Sequence, residues 1–355
     1  MRLDTLRQRI VERELDGMLI TDPLNRRYLT GFSGSAGWAL ITPERAMLAV
    51  DFRYYERAAR EAPGWEQVRV ITTYPAALAE MVAQGGIKTL GIEGENVTLA
   101  QFDEWRSKVP GVAWKPVEQM VLPMRTVKEE SEIEAIRAAV ACADAAFAHL
   151  CQIIRPGMTE AQIAWELESH MRLNGAEEVG FPIIVGSGPN GAMPHATCSD
   201  RPVQAGEPIV VDWGATVRGY RSDATRTLCL GTADDRYLRT WHLVLDAQRA
   251  VEEQVRPGMS GKEVDAIARD VLAQAGQAER FGHGLGHGVG LAIHEAPFLG
   301  TRVDPVILQP GMVFSVEPGL YYPGWGGVRI EDLVVLREHG AEVLTQAPKE
   351  PMIAG

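Results

Sequence analysis

The stretch Gln204-Ala-Gly-Glu-Pro-Ile-Val-Val-Asp212 decides the fold, because it returns 105 residues later as Gln309-Pro-Gly-Met-Val-Phe-Ser-Val-Glu317. Each copy is a turn followed by a short apolar run that is typical of a buried strand. Each run ends in a carboxylate, which is costly to bury unless it is paired, protonated or bound to a metal. The two copies therefore predict a duplicated domain with an acidic site at the ends of its strands.

Two further matches preserve the order of this repeat. Ile154-Arg-Pro-Gly-Met-Thr159 corresponds to Val255-Arg-Pro-Gly-Met-Ser260, and Gly219-Tyr-Arg-Ser-Asp223 corresponds to Gly327-Val-Arg-Ile-Glu331. The offsets of 101, 105 and 108 residues drift slowly, as loops of different length in two copies would produce. We therefore expect two related helix–strand–strand halves about a pseudo-twofold axis, each of which supplies one pair of carboxylates to a shared centre.

Helix-start signals support the same division. Thr159 and Ser260 each begin a capping box, with Gln162 and Glu263 three residues later. Ser131-Glu-Ile-Glu134 predicts a third capping box at the start of a long helix. The change of texture ahead of this helix places a domain boundary near residue 125.

The first 125 residues have a different pattern, in which short apolar strands alternate with helices. Gly17-Met-Leu-Ile-Thr, Trp38-Ala-Leu-Ile-Thr and Thr89-Leu-Gly-Ile-Glu are strand candidates, and a helical segment begins at Asp51. This alternation is typical of an α/β domain with a mixed or parallel sheet. We expect an α/β domain over residues 1–125 and the duplicated α+β domain over residues 126–355.

Composition excludes several classes of protein. The chain has 355 residues and a net charge of −12, which disfavours nucleic acid as a partner. We find no signal peptide and no run near the roughly 18 apolar residues that a membrane span requires. The four cysteines are scattered without a paired spacing, so neither a zinc knuckle nor a disulfide framework is predicted. A cytoplasmic location is therefore expected.

Five side chains are the candidate metal ligands. They are Asp212, Asp223, His287, Glu317 and Glu331. Four carboxylates with a single imidazole favour hard divalent cations bound by oxygen. Two such ions can activate a water and polarise a carbonyl together, so a two-metal hydrolase is the first hypothesis. The alternative is that the acids form salt bridges with Arg221, Arg226 and Arg329.

Histidines cluster in the glycine-rich stretch that begins at Phe281. His283, His287 and His294 fall within twelve residues, which is too dense for core filling, and the glycines permit close approach of backbone to a ligand. His195 lies on a predicted loop, where a structural histidine is the alternative to a site residue. The remaining histidines lie in helical or turn contexts and are interpreted as background: His149, His170, His242 and His339.

Together these motifs resemble the pita-bread metallopeptidases, and within them the proline-specific M24B branch of aminopeptidase P and prolidase. The motifs are Val-Asp-Trp-Gly at Asp212, Ser-Asp-Ala-Thr-Arg at Asp223, Gly-His-Gly-Val-Gly at His287, Val-Glu-Pro-Gly at Glu317 and Val-Arg-Ile-Glu-Asp at Glu331. Tyr28-Leu-Thr-Gly-Phe-Ser-Gly-Ser-Ala-Gly37 is similar to the creatinase-type N-terminal domain of aminopeptidase P. The resemblance covers essentially the whole chain and implies a creatinase-like domain followed by a pita-bread domain.

The resemblance also implies roles for individual residues. Asp212 and Asp223 would bind one metal and His287 the other, with Asp223 and Glu331 bridging and Glu317 joining the His287 site. The two ions are expected to be Mn²⁺, with Co²⁺ or Zn²⁺ as alternatives.

Other roles implied by the resemblance concern the substrate. Glu317 would be the general base, while His195 and His294 would stabilise the oxyanion and hold the substrate. His283 would line the proline pocket, and Arg329 would orient a metal-bound carboxylate. The substrate would be a peptide with proline at its second position, and the protein would be a homodimer or higher homo-oligomer.

Substrate length separates the two branches of the family. Some prolidases carry an arginine four residues after the histidine that matches His294, where it suits the carboxylate of a dipeptide; this chain has Phe298 there. The sequence therefore favours a Xaa-Pro aminopeptidase that accepts longer peptides, with a Xaa-Pro dipeptidase as the alternative. A pita-bread protein that binds without metal is a third possibility, disfavoured because all five ligands are present.

Overall fold

The computed structural model describes residues 2–302 and 306–353, which divide into two compact units, Met1–Arg125 and Thr126–Gly355. The first unit is a mixed six-stranded sheet with helices between its strands, in the order β4-β3-β2-β1-β5-β6. The β1–β5, β3–β4 and β5–β6 pairs are parallel, and the β1–β2 and β2–β3 pairs are antiparallel. Its elements are α1 Arg2–Glu12, β1 Gly17–Ile20, α2 Pro23–Thr30, β2 Trp38–Ile41, β3 Ala46–Asp51, α3 Tyr55–Glu61, β4 Glu66–Val70, α4 Tyr74–Gly85, β5 Thr89–Glu93, α5 Leu99–Lys108, β6 Ala113–Val117 and α6 Leu122–Thr126.

In the second unit, the described residues form four sheets and four long helices. Its elements are α7 Glu130–Ile153, α8 Glu160–Leu173, β7 Glu178–Val179, β8 Ile184–Ser187, β9 Ile209–Trp213, β10 Ala215–Val217, β11 Tyr220–Arg221, β12 Ala224–Leu230, α9 Asp235–Gln254, α10 Gly261–Gln274, β13 Gly286–Gly288, β14 Glu295–Leu299, β15 Val313–Val316, β16 Gly319–Tyr322, β17 Gly326–Arg329, β18 Asp332–Arg337, β19 Gly340–Val343 and β20 Met352–Ile353. The two larger sheets have the strand orders β20-β12-β9-β8 and β14-β13-β15-β18-β19. The two smaller sheets are the three strands β11-β10-β7 and the hairpin β16–β17.

The two copies of the sequence repeat form equivalent backbone hydrogen bonds. The N–H of Gly157 donates to Val203 O at 2.9 Å, and the N–H of Gly258 donates to Leu308 O at the same distance. These glycines have φ angles of 94° and 93°, a conformation that favours glycine and that explains the shared Arg-Pro-Gly-Met turn. In both halves an antiparallel strand pair follows, β9 with β12 and β15 with β18. The expected fold, a creatinase-type domain followed by a duplicated pita-bread domain, is confirmed.

Capping boxes begin the helices of both halves. Those at Thr159 and Ser260 form as expected, with side chain and backbone bonded reciprocally. The third one was predicted two residues too late, since α7 is capped by Glu129 and Glu132 rather than from Ser131. Two glutamates satisfy the same geometry because either carboxylate can accept a backbone N–H.

Among the described residues, helix α7 has the length and the apolar composition that a membrane-spanning helix would need, judged on those two properties alone. Much of its apolar side is part of the protein core, since Ala139, Ala146 and Leu150 are all inaccessible to solvent. Its Ala143 carbonyl accepts the indole N–H of Trp213 at 2.8 Å, and Phe147 stacks on that indole at 4.5 Å. These contacts fix β9, and with it Asp212, against the helix.

Candidate metal centre

Four carboxylates lie at matching places in the two halves. Asp212 lies near the end of β9 and Glu317 directly follows β15, whereas Asp223 and Glu331 directly precede β12 and β18. The halves meet through an isolated antiparallel bridge between Thr225 and Glu331. The duplicated strand pairs therefore bring one acidic pair from each half to the same place.

His287 on β13 faces this acidic cluster. Its Nε2 atom lies 3.4 Å from Glu317 Oε1 and 3.6 Å from Asp223 Oδ2. One ligand atom each from Asp223, His287 and Glu331 falls within 4.8 Å of the others. The His287 backbone N–H donates to Ser315 Oγ at 3.1 Å, and that hydroxyl donates to Glu317 Oε1 at 3.2 Å, so one serine fixes the backbone of His287 and orients the Glu317 carboxylate.

Arg329 organises the opposite side of the cluster. Its guanidinium donates to Asp212 Oδ2 at 2.7 Å, to Thr225 Oγ1 at 3.0 Å and to Tyr321 Oη at 3.0 Å. The Thr225 hydroxyl in turn donates to Glu331 Oε2 at 2.6 Å. Asp212 therefore does form one of the salt bridges considered as the alternative to metal binding, because the buried Arg329, only 3% exposed, is bonded to its carboxylate.

The other two arginines of that alternative have different partners. Arg226 pairs with Asp332 at 2.7 Å, the residue after Glu331, and Arg221 lies 3.7 Å from Glu178. Neither ion pair involves a candidate ligand. One guanidinium among four carboxylates leaves a cluster that is strongly acidic if it is fully ionised.

Burial and mutual repulsion shape the protonation of the cluster. Burial raises the pKa of Asp212, and raises that of Glu317 to about 7. Burial together with the neighbouring carboxylates raises the pKa of Asp223 and of Glu331 well above the ordinary value. Burial, with His294 beside it, lowers the pKa of His287 to about 4, so its imidazole is neutral at pH 7. A neutral imidazole has a free nitrogen lone pair that can bind a metal ion, and a cation would relieve the repulsion among the neighbouring carboxylates.

The donor set fits divalent metal ions. Asp212 Oδ1 and Glu331 Oε1 are buried without a hydrogen-bond partner in the described structure, an unusual cost for carboxylate oxygens. Metal coordination would satisfy these two atoms and offset the repulsion between the acids. Oxygen donors with one imidazole suit manganese, cobalt or zinc.

A cavity of about 700 Å³ opens onto the cluster and contains the other predicted histidines. His294 packs edge-on against His287 with ring centroids 4.3 Å apart, and His195 lies on the loop after β8. His283 Nε2 is 3.0 Å from Tyr321 Oη. The structure thus brings all nine predicted site residues to one cavity, whose remaining wall is largely apolar: Phe181, Pro182, Ile183, Ile184, Ile293, Phe298 and Leu299.

Two buried acids outside the cluster anchor the loops that carry these histidines. Glu160, fully buried at the start of α8, accepts hydrogen bonds from Ser187, Asn190 and Ser199, and so binds both ends of the segment that contains His195. Glu295, next to His294, forms an ion pair with Lys128 at 3.0 Å.

Sequence reasoning missed four residues of this site: Glu160, Thr225, Ser315 and Tyr321. Tyr321 was detectable in part, because Gly319 pairs with Arg329 in the β16–β17 hairpin and alternation then places Tyr321 on the Arg329 side. Thr225 follows Asp223 by two residues, the spacing that keeps two side chains on one face of a strand. Glu160 gave no signal, because a glutamate in the first turn of a helix is ordinary.

Comparison with known proteins identifies the family. A model described as "Metallopeptidase family M24" matches residues 134–338, and one described as "Creatinase/Prolidase N-terminal domain" matches residues 2–127. An Xaa-Pro dipeptidase of Pyrococcus horikoshii is 37% identical over 95% of this chain and 94% of its own length.

Solved structures agree with this match. An Xaa-Pro dipeptidase from Bacillus anthracis superposes with a TM-score of 0.96 at 40% identity, covering 99% of this chain and 98% of that one. An X-Pro aminopeptidase from Thermotoga maritima superposes with a TM-score of 0.92 at 38% identity, covering 97% and 99%. The chain is a hydrolase of peptide bonds that belongs to metallopeptidase family M24, in the M24B branch of Xaa-Pro dipeptidases and aminopeptidases.

Proposed function

We propose that this enzyme hydrolyses the Xaa-Pro bond of dipeptides with two divalent metal ions bound by Asp212, Asp223, His287, Glu317 and Glu331. The observation that carries the proposal is the pair of orphaned buried oxygens, Asp212 Oδ1 and Glu331 Oε1, within the acidic cluster. When bound, the ions would supply an activated water and a polarised carbonyl. Manganese is the proposed ion, with cobalt and zinc as alternatives.

The protein's own groups would then do the positioning and the proton transfer. Glu317 is the proposed general base, and it would exchange the proton through Oε2 because Oε1 already accepts from Ser315. Asp223 and Glu331 are the proposed bridging ligands. Arg329 holds Asp212 in place and is a positioning residue rather than a group that contacts the substrate.

Three histidines complete the proposed substrate site. His195 and His294 are exposed to the cavity, where they would hold the substrate and donate to the developing oxyanion. His283, held by Tyr321, would form part of the wall around the proline ring. The apolar residues of the cavity suit a ring that has no N–H to bond.

Substrate length is where the proposal departs from the expectation drawn from sequence alone. Phe298, 40% exposed on β14, occupies the place considered for a carboxylate-binding arginine and favours an aminopeptidase. The named relatives point the other way, because full-length matches at 35–40% identity include several Xaa-Pro dipeptidases. We therefore propose the dipeptidase, with the aminopeptidase as the second candidate.

The deciding experiment compares Xaa-Pro dipeptides with Xaa-Pro-Xaa tripeptides on protein reconstituted with Mn²⁺, using Xaa-Ala dipeptides as the control substrate. A higher kcat/KM for the dipeptide supports the proposal, and a higher value for the tripeptide supports the aminopeptidase. His294→Asn should lose activity, whereas His339→Asn, an exposed histidine outside the cavity, should not. An enzyme that binds no metal and cleaves none of these peptides would refute both functions.

We also propose a cytoplasmic homodimer or higher homo-oligomer. All four cysteines are free thiols, as expected in a reducing compartment. Light scattering would test the assembly, and a monomer at assay concentration would contradict it.

A further inference from the structure

A second cavity, of about 450 Å³, lies away from the acidic cluster. It is bounded by the beginning of α9, the end of α10 and the β16–β17 hairpin, and its wall includes Arg236, Arg239, Leu243, Gln277 and Tyr322. It shares no residue with the cavity over the candidate metal centre. We call it the arginine pocket.

The charge of this pocket is opposite to that of the chain, whose net charge is −12. Arg236 and Arg239 lie in the first turns of α9, where the positive end of the helix dipole disfavours cations. Arg236 and the nearby Arg280 form no ion pair within the described residues, and Arg239 lies 3.8 Å from a largely exposed Asp235. Helix stability therefore does not account for this cluster of cations.

Aromatic rings hold two of the guanidinium groups. The Arg236 guanidinium lies over the Trp325 ring at 4.3 Å and over the Tyr322 ring at 4.9 Å, and Arg280 lies over Tyr322 at 5.3 Å. Stacking occupies the face of a guanidinium and leaves its N–H edge to bind an oxyanion. Leu243 adds an apolar surface beside these cations.

The pocket is also connected to the substrate cavity through two short segments. On β16, Tyr322 faces the pocket and donates to Gln277 at 2.9 Å, while its neighbour Tyr321 bonds Arg329 and His283. Successive residues of a strand point to opposite faces, so one backbone carries both tyrosines. Gln277 and Arg280 precede His283 by only a few residues on the other segment.

From these observations we propose that the arginine pocket binds a small phosphate-bearing molecule, and that its occupancy changes the position of Tyr321 and His283. The phosphate binds to Arg236 and Arg239, and an organic portion packs against Tyr322 and Leu243. Binding is independent of the proposed peptidase function, whereas the effect on turnover rests on it. Coupling between such sites is reciprocal, so a substrate analogue should change the affinity for phosphate by the same factor by which phosphate changes the affinity for the analogue.

Binding is tested by calorimetry with inorganic phosphate, pyrophosphate and a nucleoside monophosphate on the full-length, metal-loaded protein. We expect saturable binding that Arg236→Gln weakens by about tenfold or more, because a charge-assisted bond is lost. Arg249→Gln, an exposed arginine on the same helix outside the pocket, should bind as the wild type. Arg239→Gln provides a second variant if Arg236→Gln fails to fold.

The outcomes separate the possible ligands. Equal binding of all three probes assigns the site to phosphate itself, and binding of the nucleotide alone assigns it to an organic phosphate. No binding up to about 10 mM, or binding unchanged in both pocket variants, overturns the site. Binding that leaves KM and kcat for an active substrate unchanged overturns the coupling, and an inactive protein that still binds phosphate would refute only the peptidase.

Discussion

The ion pair between Lys128 and Glu295 offers the sharpest test of how the site is supported. The two side chains are 1% and 7% exposed, and Lys128 Nζ lies 3.0 Å from Glu295 Oε1. The loop that ends at Glu295 wraps this carboxylate, since a Cβ added at Gly290 would lie 2.3 Å from Glu295 Oε1. We predict that Lys128→Met destabilises the second unit by about 3–5 kcal/mol, the typical cost of leaving a buried charge without its partner.

The magnitude follows from the geometry. At 3.0 Å and an effective dielectric constant of 20, the Coulomb attraction between the two charges is about 5.5 kcal/mol. In Lys128→Met the carboxylate would still accept the N–H of Ala292, at 3.2 Å, as partial compensation. The double variant Lys128→Met/Glu295→Gln removes both charges. It should recover at least about 2 kcal/mol of the loss as coupling energy.

Urea unfolding followed by tryptophan fluorescence measures these differences. With a slope of about 2–3 kcal/mol per molar urea, the midpoint should fall by roughly 1–2.5 M for Lys128→Met. Hydrogen exchange of a peptide covering residues 286–299 should quicken, because it contains His294 and the end of the loop. Lys108→Met, which breaks an exposed pair with Glu104, should cost less than about 1 kcal/mol. Equal effects of the two lysine changes, or strict additivity in the double variant, would refute the reasoning.

Three other predictions concern the same domain. Glu160→Gln should destabilise the domain by about 2–3 kcal/mol and quicken hydrogen exchange around His195. The reason is that an amide cannot accept all the N–H and O–H groups that the carboxylate accepts. Unchanged exchange in this variant would contradict the anchoring role of Glu160. Burial, with Arg329 nearby, lowers the pKa of His283 to about 4 from 6.5, so the unfolded chain binds more protons and stability falls as pH drops from 6.5 to 4. His283→Asn should show a smaller fall over that window by calorimetry, and an equal fall would count against the assignment. Chelation should lower the melting temperature, and Mn²⁺ at about 100 times its Kd should restore about 2.7 kcal/mol, an effect that Asp223→Asn should abolish.

The sequence was sufficient for the arrangement of the acids because duplication is visible without a structure. Matching runs that end in Asp212 and Glu317 placed both at strand ends, and a separate match at an offset of 108 instead of 105 residues placed Asp223 and Glu331. The residues that support the acids were only partly visible: the spacing of Thr225 from Asp223 suggests a shared face, but Tyr321 can be placed beside Arg329 only once the pairing of the β16–β17 hairpin is known. The α7 cap was misplaced by two residues because several adjacent glutamates satisfy the same pattern. Glu160 was undetectable, since only folding brings residues 187–199 around it.

The duplicated halves share the strand orders β8-β9-β12 and β13-β15-β18 but differ in the side chains that they contribute. In the first half Ser187 pairs with Ile209, and in the second Gly288 pairs with Phe314, so the counterpart of His287 is Gly186. A Cβ at Gly186 would lie 3.1 Å from Gly191 Cα, closer than ordinary contact, so the turn at Gly191 would have to move away. In one copy a glycine at this position lets the turn that leads to His195 approach closely, and in the other copy the position carries the imidazole of His287. Two identical halves would not supply both, so the difference between the copies at this position brings a histidine that faces the acidic cluster and the loop of His195 into one cavity.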